Sequence, residues 1–167
     1  MRSICALVVL SSAVMSAQSP YISQEARERW HTTDAEPAEP FRVLGNIYFV
    51  GAKGLASYLI TTPEGHILHD TGTVEMHDVI VSNVETLGFD VKDIKFMLHS
   101  HAHVDHMQGH AAMQRATGAE IVALGGDAVA IEAGEDNSAL GDEGWEPAEV
   151  ARVVEDGDTL TIGGMTL

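Results

Sequence analysis

The stretch HSHAHVDH, residues 99–106, places four of the chain's nine histidines and one aspartate within eight consecutive positions. It follows the apolar run Phe96-Met97-Leu98, which is typical of a strand buried on both faces. Imidazole nitrogen and carboxylate oxygen are both zinc ligands, at about 2.0–2.2 Å from the metal. The stretch therefore indicates a metal site. A polar surface loop or a nonspecific metal-binding tract is the alternative interpretation.

The spacing of these side chains fits two adjacent ions. His101 and His103 are two positions apart and point the same way if the backbone is extended. Asp105 and His106 follow after one further residue and can turn toward a neighbouring point. The candidate metal ligands are thus His101, His103, Asp105 and His106, and Asp105 is also the candidate catalytic residue.

Asp70 is a candidate for supporting this site. It ends a predicted strand just before Thr71-Gly72, where its carboxylate can accept a hydrogen bond from a ligating imidazole and fix the tautomer. The other histidines carry weaker signals. His99 and His110 are expected to pack or to form hydrogen bonds rather than to bind metal. Four more have no informative spacing and are interpreted as structural or surface residues: His31, His66, His69 and His77.

The order of predicted elements favours an α/β fold. Apolar runs separated by turn residues predict a meander of short strands. From Val74 onward, apolar residues recur every three to four positions, which predicts an amphipathic helix ending at Gly88. Strands and helices then alternate, which implies a sheet with parallel members. The predicted elements are helices at 23–30, 76–87, 107–117 and 125–134, and strands at 41–44, 47–50, 55–61, 67–70, 94–99, 121–123, 150–154, 159–162 and 165–167.

The N-terminus resembles a secretory signal. A basic start is followed by the apolar run 4–10 and by small residues up to Ala17, and the run is too short to span a bilayer. We predict a signal peptide at residues 1–17, an extension with a proline-rich linker at 18–40, and the folded domain at 41–167. Cleavage would remove Cys5, the only cysteine. The exported protein, expected in the periplasm and free of the membrane, must then bind metal through imidazole and carboxylate.

Charge excludes one class of partner. The formal net charge of −16 argues against nucleic-acid binding, which needs Lys and Arg to contact phosphates. The acidic residues of segment 132–158 are interpreted as a solvated surface. The last residues, Met165-Thr166-Leu167, still follow an apolar strand pattern. We therefore expect the sequence to be the N-terminal part of a longer protein.

Three segments carry a resemblance to a known family. The motif HAHVDH (101–106) is similar to the signature of the metallo-beta-lactamase superfamily, and YLITTPEGHILHDTG (58–72) resembles the strand, turn and strand that precede it there. FRVLGNIYFVG (41–51) and VVEDGDTLTIGGMTL (153–167) look like the third subclass of class B (zinc) beta-lactamases. The resemblance implies the N-terminal half of an αβ/βα sandwich, truncated before the second half.

The resemblance also implies a ligand set. His101 and His103 would bind a first zinc, and Asp105 and His106 a second, giving two Zn²⁺ in a complete site. The family completes the two sites with a histidine in a Thr-Pro-Gly-His type turn and with another near the C-terminus, and this sequence has neither. His69 stands where the family usually has an aliphatic residue.

The expected function is zinc-dependent hydrolysis of the amide bond of beta-lactam antibiotics, with a small molecule as the substrate. Such chemistry needs no covalent enzyme intermediate, and the sequence contains no Ser-x-x-Lys motif. Two alternatives stay open: a lactonase or thioesterase of the same fold, or a nonenzymatic metal-binding fragment. We expect the 167 residues alone to be poorly soluble and inactive, and their oligomeric state is open.

Overall fold

A mixed seven-stranded sheet forms the centre of the computed structural model, which describes residues 22–136 and 143–167. The predicted signal peptide at 1–17 lies outside the described residues. The strands stand in the sheet in their chain order, and a separate two-stranded hairpin follows. The helices are α1 (Gln24–Trp30), α2 (Met76–Thr86), α3 (Val104–Met107), α4 (His110–Thr117) and α5 (Gly125–Ala133). The strands are β1 (Phe41–Leu44), β2 (Ile47–Phe49), β3 (Tyr58–Thr62), β4 (Gly65–His69), β5 (Ile94–Leu98), β6 (Glu120–Leu124), β7 (Val150–Val154), β8 (Thr161–Ile162) and β9 (Met165–Thr166).

The strand pairing of the sheet changes from antiparallel to parallel at β4. Strands β1 to β4 pair antiparallel, which confirms the predicted meander, and β4 to β7 pair parallel. Parallel neighbours need a crossover connection, and α2, α4 and α5 lie in these connections. The predicted α/β fold class is therefore confirmed. Because β4 to β7 run in the same direction, their carboxyl ends lie at one edge of the sheet.

The main core lies between the sheet and its helices. Alternate residues of a strand face opposite sides of a sheet, and Leu59, Leu68 and Met97 from three neighbouring strands all join this core. They are fully buried there together with side chains of the helices, among them Met76, Ile80, Val84, Met113 and Ile131. The helical layer thus fixes one face of the sheet.

The opposite face of the sheet is only partly covered. Ile67 is fully buried on this side, where Leu160 and Ile162 of the β8–β9 segment pack against it. Phe96 and Leu98 contact the same small cluster but stay partly exposed. The run Phe96-Met97-Leu98 was expected to be buried on both faces, and complete burial holds for Met97 alone.

One predicted helix is interrupted. The pattern indicated a continuous helix over 107–117, whereas α3 ends at Met107 and α4 begins at His110. The reason is the close approach of a neighbouring loop: the backbone N–H of Gly109 donates to Gly72 O at 3.0 Å. A Cβ at Gly109 would come within 2.9 Å of Thr71 O. The break allows the segment after β4 to pack against the loop after β5 that carries the histidine motif.

Packing against the core begins before Phe41. Ser23 is the N-cap of helix α1, and its hydroxyl oxygen accepts from the backbone N–H of Ala26. Trp30 at the end of the helix packs on the core. Ala35 is buried, and Pro37 pairs with Ala52 in an isolated bridge. The segment predicted as a linker is therefore part of the folded body. Across the described ranges, the structure has no helix long and apolar enough to cross a membrane.

Candidate metal centre

Two strand ends build the site. β4 ends at His69 and β5 at Leu98, and the backbone N–H of Asp70 donates to Leu98 O at 2.9 Å. Beyond this point the N–H groups of Thr71 and Gly72 both donate to the carbonyl oxygen of His106, at 2.8 and 3.0 Å. The loop after β4 therefore holds the loop after β5 in place at the edge where the parallel strands end.

Three predicted ligands converge. His101, His103 and Asp105 each offer one ligand atom, and these atoms all lie within 4.8 Å of one another. The rings of His101 and His103 meet edge to face with their centroids 4.3 Å apart. All three side chains are half-buried. Two imidazoles and one carboxylate at this separation suit a divalent transition metal such as zinc.

His106, the fourth predicted ligand, borders this group. Its ring centroid lies 4.2 Å from that of His101, and its Nε2 lies 3.5 Å from Asp105 Oδ2. His106 thus lies against both His101 and Asp105. The predicted division put Asp105 with His106 at a second ion, whereas the structure groups Asp105 with His101 and His103 and has His106 beside Asp105.

Asp70 lies behind the ligands and contacts them directly. His106 Nδ1 is 2.9 Å from Asp70 Oδ2, and the backbone N–H of Ser100 donates to Asp70 Oδ1 at 2.8 Å. Since a carboxylate can only accept, the proton is on His106 Nδ1, and Nε2 keeps the lone pair that a metal needs. Asp70 has φ of 60°, a conformation rare for residues other than glycine, asparagine and aspartate.

The protonation equilibria differ among these groups. Burial raises the pKa of Asp70, but the hydrogen bonds from His106 and Ser100 outweigh it, and the net pKa is lowered. Burial and the neighbouring imidazoles of His106 and His103 lower the pKa of His101, which favours the neutral form that binds metal. Burial also lowers the pKa of His106, yet Asp70 and Asp105 raise it overall. Metal binding at His106 therefore competes with a proton.

The other histidines lie outside this group. His99 is almost fully buried, with Nε2 3.3 Å from Asp127 Oδ2, and its ring packs against His110 at 5.3 Å. His110 is completely buried, and its Nδ1 lies 2.8 Å from Thr71 Oγ1. Three of the remaining four also have defined contacts, which are with Glu75 and Glu143 for His31, Phe89 for His66, and Asp78 for His77. His69 lies half-buried beside Asp70.

Two side chains that the sequence reasoning did not select also belong to the site. The Ser100 hydroxyl lies 2.9 Å from His106 Nδ1, 3.1 Å from His101 Nδ1 and 3.2 Å from Asp70 Oδ2. Its position inside the histidine motif was the available signal. Asp136 Oδ2 lies 3.9 Å from His103 Nε2. Asp136 is 33 positions from His103 and its segment was interpreted as a solvated surface, so the sequence pattern gave no reason to select it.

The family follows from comparison with known proteins. A family model described as the metallo-beta-lactamase superfamily matches residues 50–167. The chain belongs to this superfamily. The match includes the whole HAHVDH motif and Asp70, so the convergent side chains described above all lie within the family domain.

Solved structures refine the relationship. The metallo-beta-lactamase MIM-1 from Novosphingobium pentaromativorans is 38% identical with a TM-score of 0.77, over 80% of this chain and 50% of that one. BJP-1, a subclass B3 metallo-beta-lactamase of Bradyrhizobium japonicum, is 38% identical with a TM-score of 0.75, over 81% and 52%. FEZ-1 from Legionella gormanii is 33% identical with a TM-score of 0.73, over 79% and 52%.

These neighbours confirm the resemblance to the third subclass of class B beta-lactamases. They also confirm the metallo-beta-lactamase fold, which is the fold of a hydrolase. The chain spans about half the length of the solved structures that it matches. The fold is therefore that of this family, and the metal ligands, the metal identity and the reaction of the whole protein are matters for proposal.

Proposed function

We propose that the protein containing this chain is an exported zinc-dependent hydrolase that opens the amide of beta-lactam antibiotics. The observation that carries the proposal is the convergence of His101, His103 and Asp105 within 4.8 Å. Structures at 33–38% identity that are named metallo-beta-lactamases support it. So does the signal-like sequence at residues 1–17, because export brings an enzyme to the compartment where these drugs meet the cell wall.

The chain's own side chains would hold the metal and control protons around it. His101, His103 and Asp105 would bind a first ion, and Asp105 with His106 would contribute to a second, so that the complete site holds two. Zinc supplies a Lewis acid that polarises a carbonyl group and lowers the pKa of water. Asp70 keeps the proton of His106 on Nδ1 and so leaves Nε2 available for metal.

Asp105 lies close to all three candidate imidazole ligands. Its carboxylate lies within 4.8 Å of ligand atoms of His101 and His103 and 3.5 Å from His106 Nε2. A carboxylate at this position would compensate part of the positive charge of a bound metal ion, which neutral imidazole ligands cannot do. We therefore assign Asp105 both a ligand role and the catalytic role of orienting the reacting groups.

A lactone or thioester hydrolase of the same superfamily would use the same residues, and the two substrate classes differ in the bond attacked. The experiment is to express the full-length gene product with zinc and to compare hydrolysis of the chromogenic beta-lactam nitrocefin, a lactone and a thioester. We expect nitrocefin turnover that a chelator abolishes and that zinc restores. Preference for the lactone or thioester would contradict the proposed substrate.

Metal binding is tested separately, because a nonenzymatic metal-binding protein is the remaining alternative. Elemental analysis of the protein purified with zinc present should give a stoichiometric metal content. The His101→Ala/His103→Ala double variant should lose it, whereas His77→Ala, on helix α2, should keep it. Zinc uptake that survives the double variant would mean nonspecific binding, and no stoichiometric zinc in the wild type would refute the proposal.

A further inference from the structure

We propose that His31 is a positioning residue that holds together two segments bordering the candidate metal centre and thereby slows the release of the metal. The inference rests on the proposed zinc site and adds to it a residue that lies outside the histidine motif, at the end of helix α1. His31 Nδ1 lies 2.9 Å from Glu75 Oε2, and His31 Nε2 lies 2.9 Å from Glu143 Oε2. One imidazole therefore joins two segments that are far apart in the chain.

The geometry makes the His31 ring a cation. Both of its nitrogens face carboxylate oxygens, and because an ionised carboxylate can only accept a hydrogen bond, each nitrogen carries a proton. Burial lowers the pKa of His31, but the carboxylates of Glu75 and Glu143 more than offset this and raise it. On α1 itself, Arg27 and Glu28 line the same cavity of about 330 Å³ as His31 and Glu143.

The first of the two segments is the loop after β4, residues 70–75. Glu75 is its last residue and the N-cap of α2. The loop also contacts the residue before His31, because the hydroxyl of the fully buried Thr73 donates to the carbonyl oxygen of Trp30 at 3.5 Å. The end of α1 thus holds this loop through one backbone contact and one ion pair.

The same loop packs on the helix that carries two of the candidate ligands. The backbone N–H of Gly72 donates to His106 O at 3.0 Å. The backbone N–H of Val74 donates to Oε1 of Gln108, the residue that follows α3, at 3.2 Å. The loop after β4 therefore lies between His31 and α3, and a shift of the loop would be transmitted to Asp105 and His106.

The second segment follows α5 and is described at 134–136 and 143–149. Glu143 lies two positions before Trp145, whose side chain is buried and whose backbone N–H donates to Gly134 O at 3.0 Å. This bond ties the segment to the end of α5. The turn after Gly134 brings Asp136 Oδ2 to 3.9 Å from His103 Nε2. The second segment thus reaches the metal-ligand loop at a different residue from the first.

The effect of His31 on the metal follows from these contacts. A metal leaves its ligands when the loops that carry them open locally, and such openings are easiest where few contacts hold a loop. Two ion pairs from one partly buried imidazole, 25% exposed, add contacts to both segments at once. Their contribution is charge-dependent, so it should disappear when His31 loses its proton.

The test measures the rate of zinc release from the zinc-loaded full-length gene product into an excess of a chromogenic chelator, at about pH 6.5 and about pH 9. At the lower pH, His31→Gln should release zinc about 2–5-fold faster than the wild type. At the higher pH the two rates should converge, because the wild-type imidazole is then neutral. Comparing the proteins at the same pH removes the titration of the ligands themselves.

Two further variants separate charge from packing. His31→Arg keeps a positive charge at both pH values and can donate to both carboxylates, so it should release zinc as slowly as the wild type at the lower pH and more slowly than it at the higher pH. His77→Gln is the matched control, because His77 is similarly exposed at 29% and pairs with the single carboxylate of Asp78. It should release zinc at the wild-type rate throughout.

Hydrogen exchange of the metal-free protein tests the contacts without zinc. Amides of residues 71–75 should exchange faster in His31→Gln than in the wild type, while those of β5 keep the wild-type rate. Uniformly faster exchange, equal zinc release at the lower pH, or a difference that persists at the higher pH would each overturn this inference alone. Absence of zinc binding by the wild type would overturn the proposed function, and the inferred effect on metal release with it.

Discussion

Asp70 Oδ2 lies 2.9 Å from His106 Nδ1, and this contact joins the ends of two parallel strands through a ligand of the candidate metal centre. The same carboxylate accepts from the backbone N–H of Ser100 at 2.8 Å. Asp70 thus fixes the backbone at the start of the histidine motif and one imidazole at its end. Its left-handed φ of 60° is consistent with a conformation retained for this purpose.

Replacing Asp70 with asparagine should weaken metal binding. Asparagine also tolerates the left-handed conformation. Its amide nitrogen, however, cannot accept a hydrogen bond, so one of the two bonds from Ser100 and His106 is lost. We expect zinc affinity to fall about 10–100-fold and the free energy of unfolding to fall by about 1–3 kcal/mol. Chelator competition and urea unfolding measure the two effects.

The matched control for this prediction is Asp78→Asn. The Asp78 side chain is 98% exposed and pairs with its neighbour His77, so its replacement should leave both quantities almost unchanged. Equal zinc affinity in Asp70→Asn and Asp78→Asn would show that Asp70 does not act on the metal ligands.

Acid should destabilise the protein through His110. Burial lowers the pKa of His110 to about 3, whereas an unfolded histidine titrates near about 6.5. Between these values the unfolded state binds the extra proton, so stability rises with pH and is lost as pH falls below about 6.5. From pH 7 to pH 4.5 this amounts to about 2–3 kcal/mol.

The measurement is urea unfolding across this pH range, for the wild type and for His110→Phe. The variant loses the contact with Thr71 Oγ1 and should be less stable at pH 7, but its stability should depend less steeply on pH. If both proteins show the same slope, His110 is not the group responsible for the acid sensitivity.

His31, which follows helix α1, forms ion pairs with two glutamates, and we call these three side chains the clasp. Their contribution to stability should be lost at alkaline pH. His31 Nδ1 and Nε2 lie 2.9 Å from Glu75 and Glu143, respectively. Burial lowers the pKa of His31, but the two carboxylates raise it overall. The clasp should therefore stabilise the fold fully below about pH 6.5 and lose its effect as pH rises through the raised pKa of the folded state.

NMR titration of His31 is the measurement for the clasp, and Glu75→Gln or Glu143→Gln should bring its pKa down. The stability difference between the wild type and His31→Gln should be about 1 kcal/mol or less at pH 6 and smaller at pH 8.5. A His31 pKa that is unaffected by both glutamate variants would mean that neither ion pair forms in solution.

Local sequence patterns predicted most of the fold. The 3.6-residue spacing of Met76, Ile80 and Val84 identified α2, and all three are fully buried. The clustered histidines identified the loop of the candidate metal centre because the candidate ligands are neighbours in the sequence. The position of Asp70 at the end of a predicted strand, just before Thr71-Gly72, indicated that it lies near them.

Features that depend on distant contacts could not be predicted in this way. The helix break at Gly109 results from the close approach of Thr71, 38 positions away in the chain. Residues before Phe41 looked like a linker because the composition around Pro37 favours extended backbone, whereas the burial of Ala35 and the bridge from Pro37 to Ala52 show that they are packed. Asp136 reaches His103 through the turn after α5, which no local pattern indicates.

The open face of the sheet should make the chain associate with itself. Val43, Ile47, Tyr58 and Ile60 line an apolar recess of about 370 Å³ on this face, and Val43 is 49% exposed. Strand β1 also forms one edge of the sheet, and an apolar face beside an unpaired edge favours association. We therefore expect oligomers at micromolar concentration in sedimentation velocity and enhanced fluorescence of a hydrophobic dye. Val43→Lys should reduce both, whereas Val129→Lys, at a comparably exposed position of α5, should not. A monomeric wild type that melts in one cooperative transition would contradict this expectation, because the exposed recess would then be tolerated in solution.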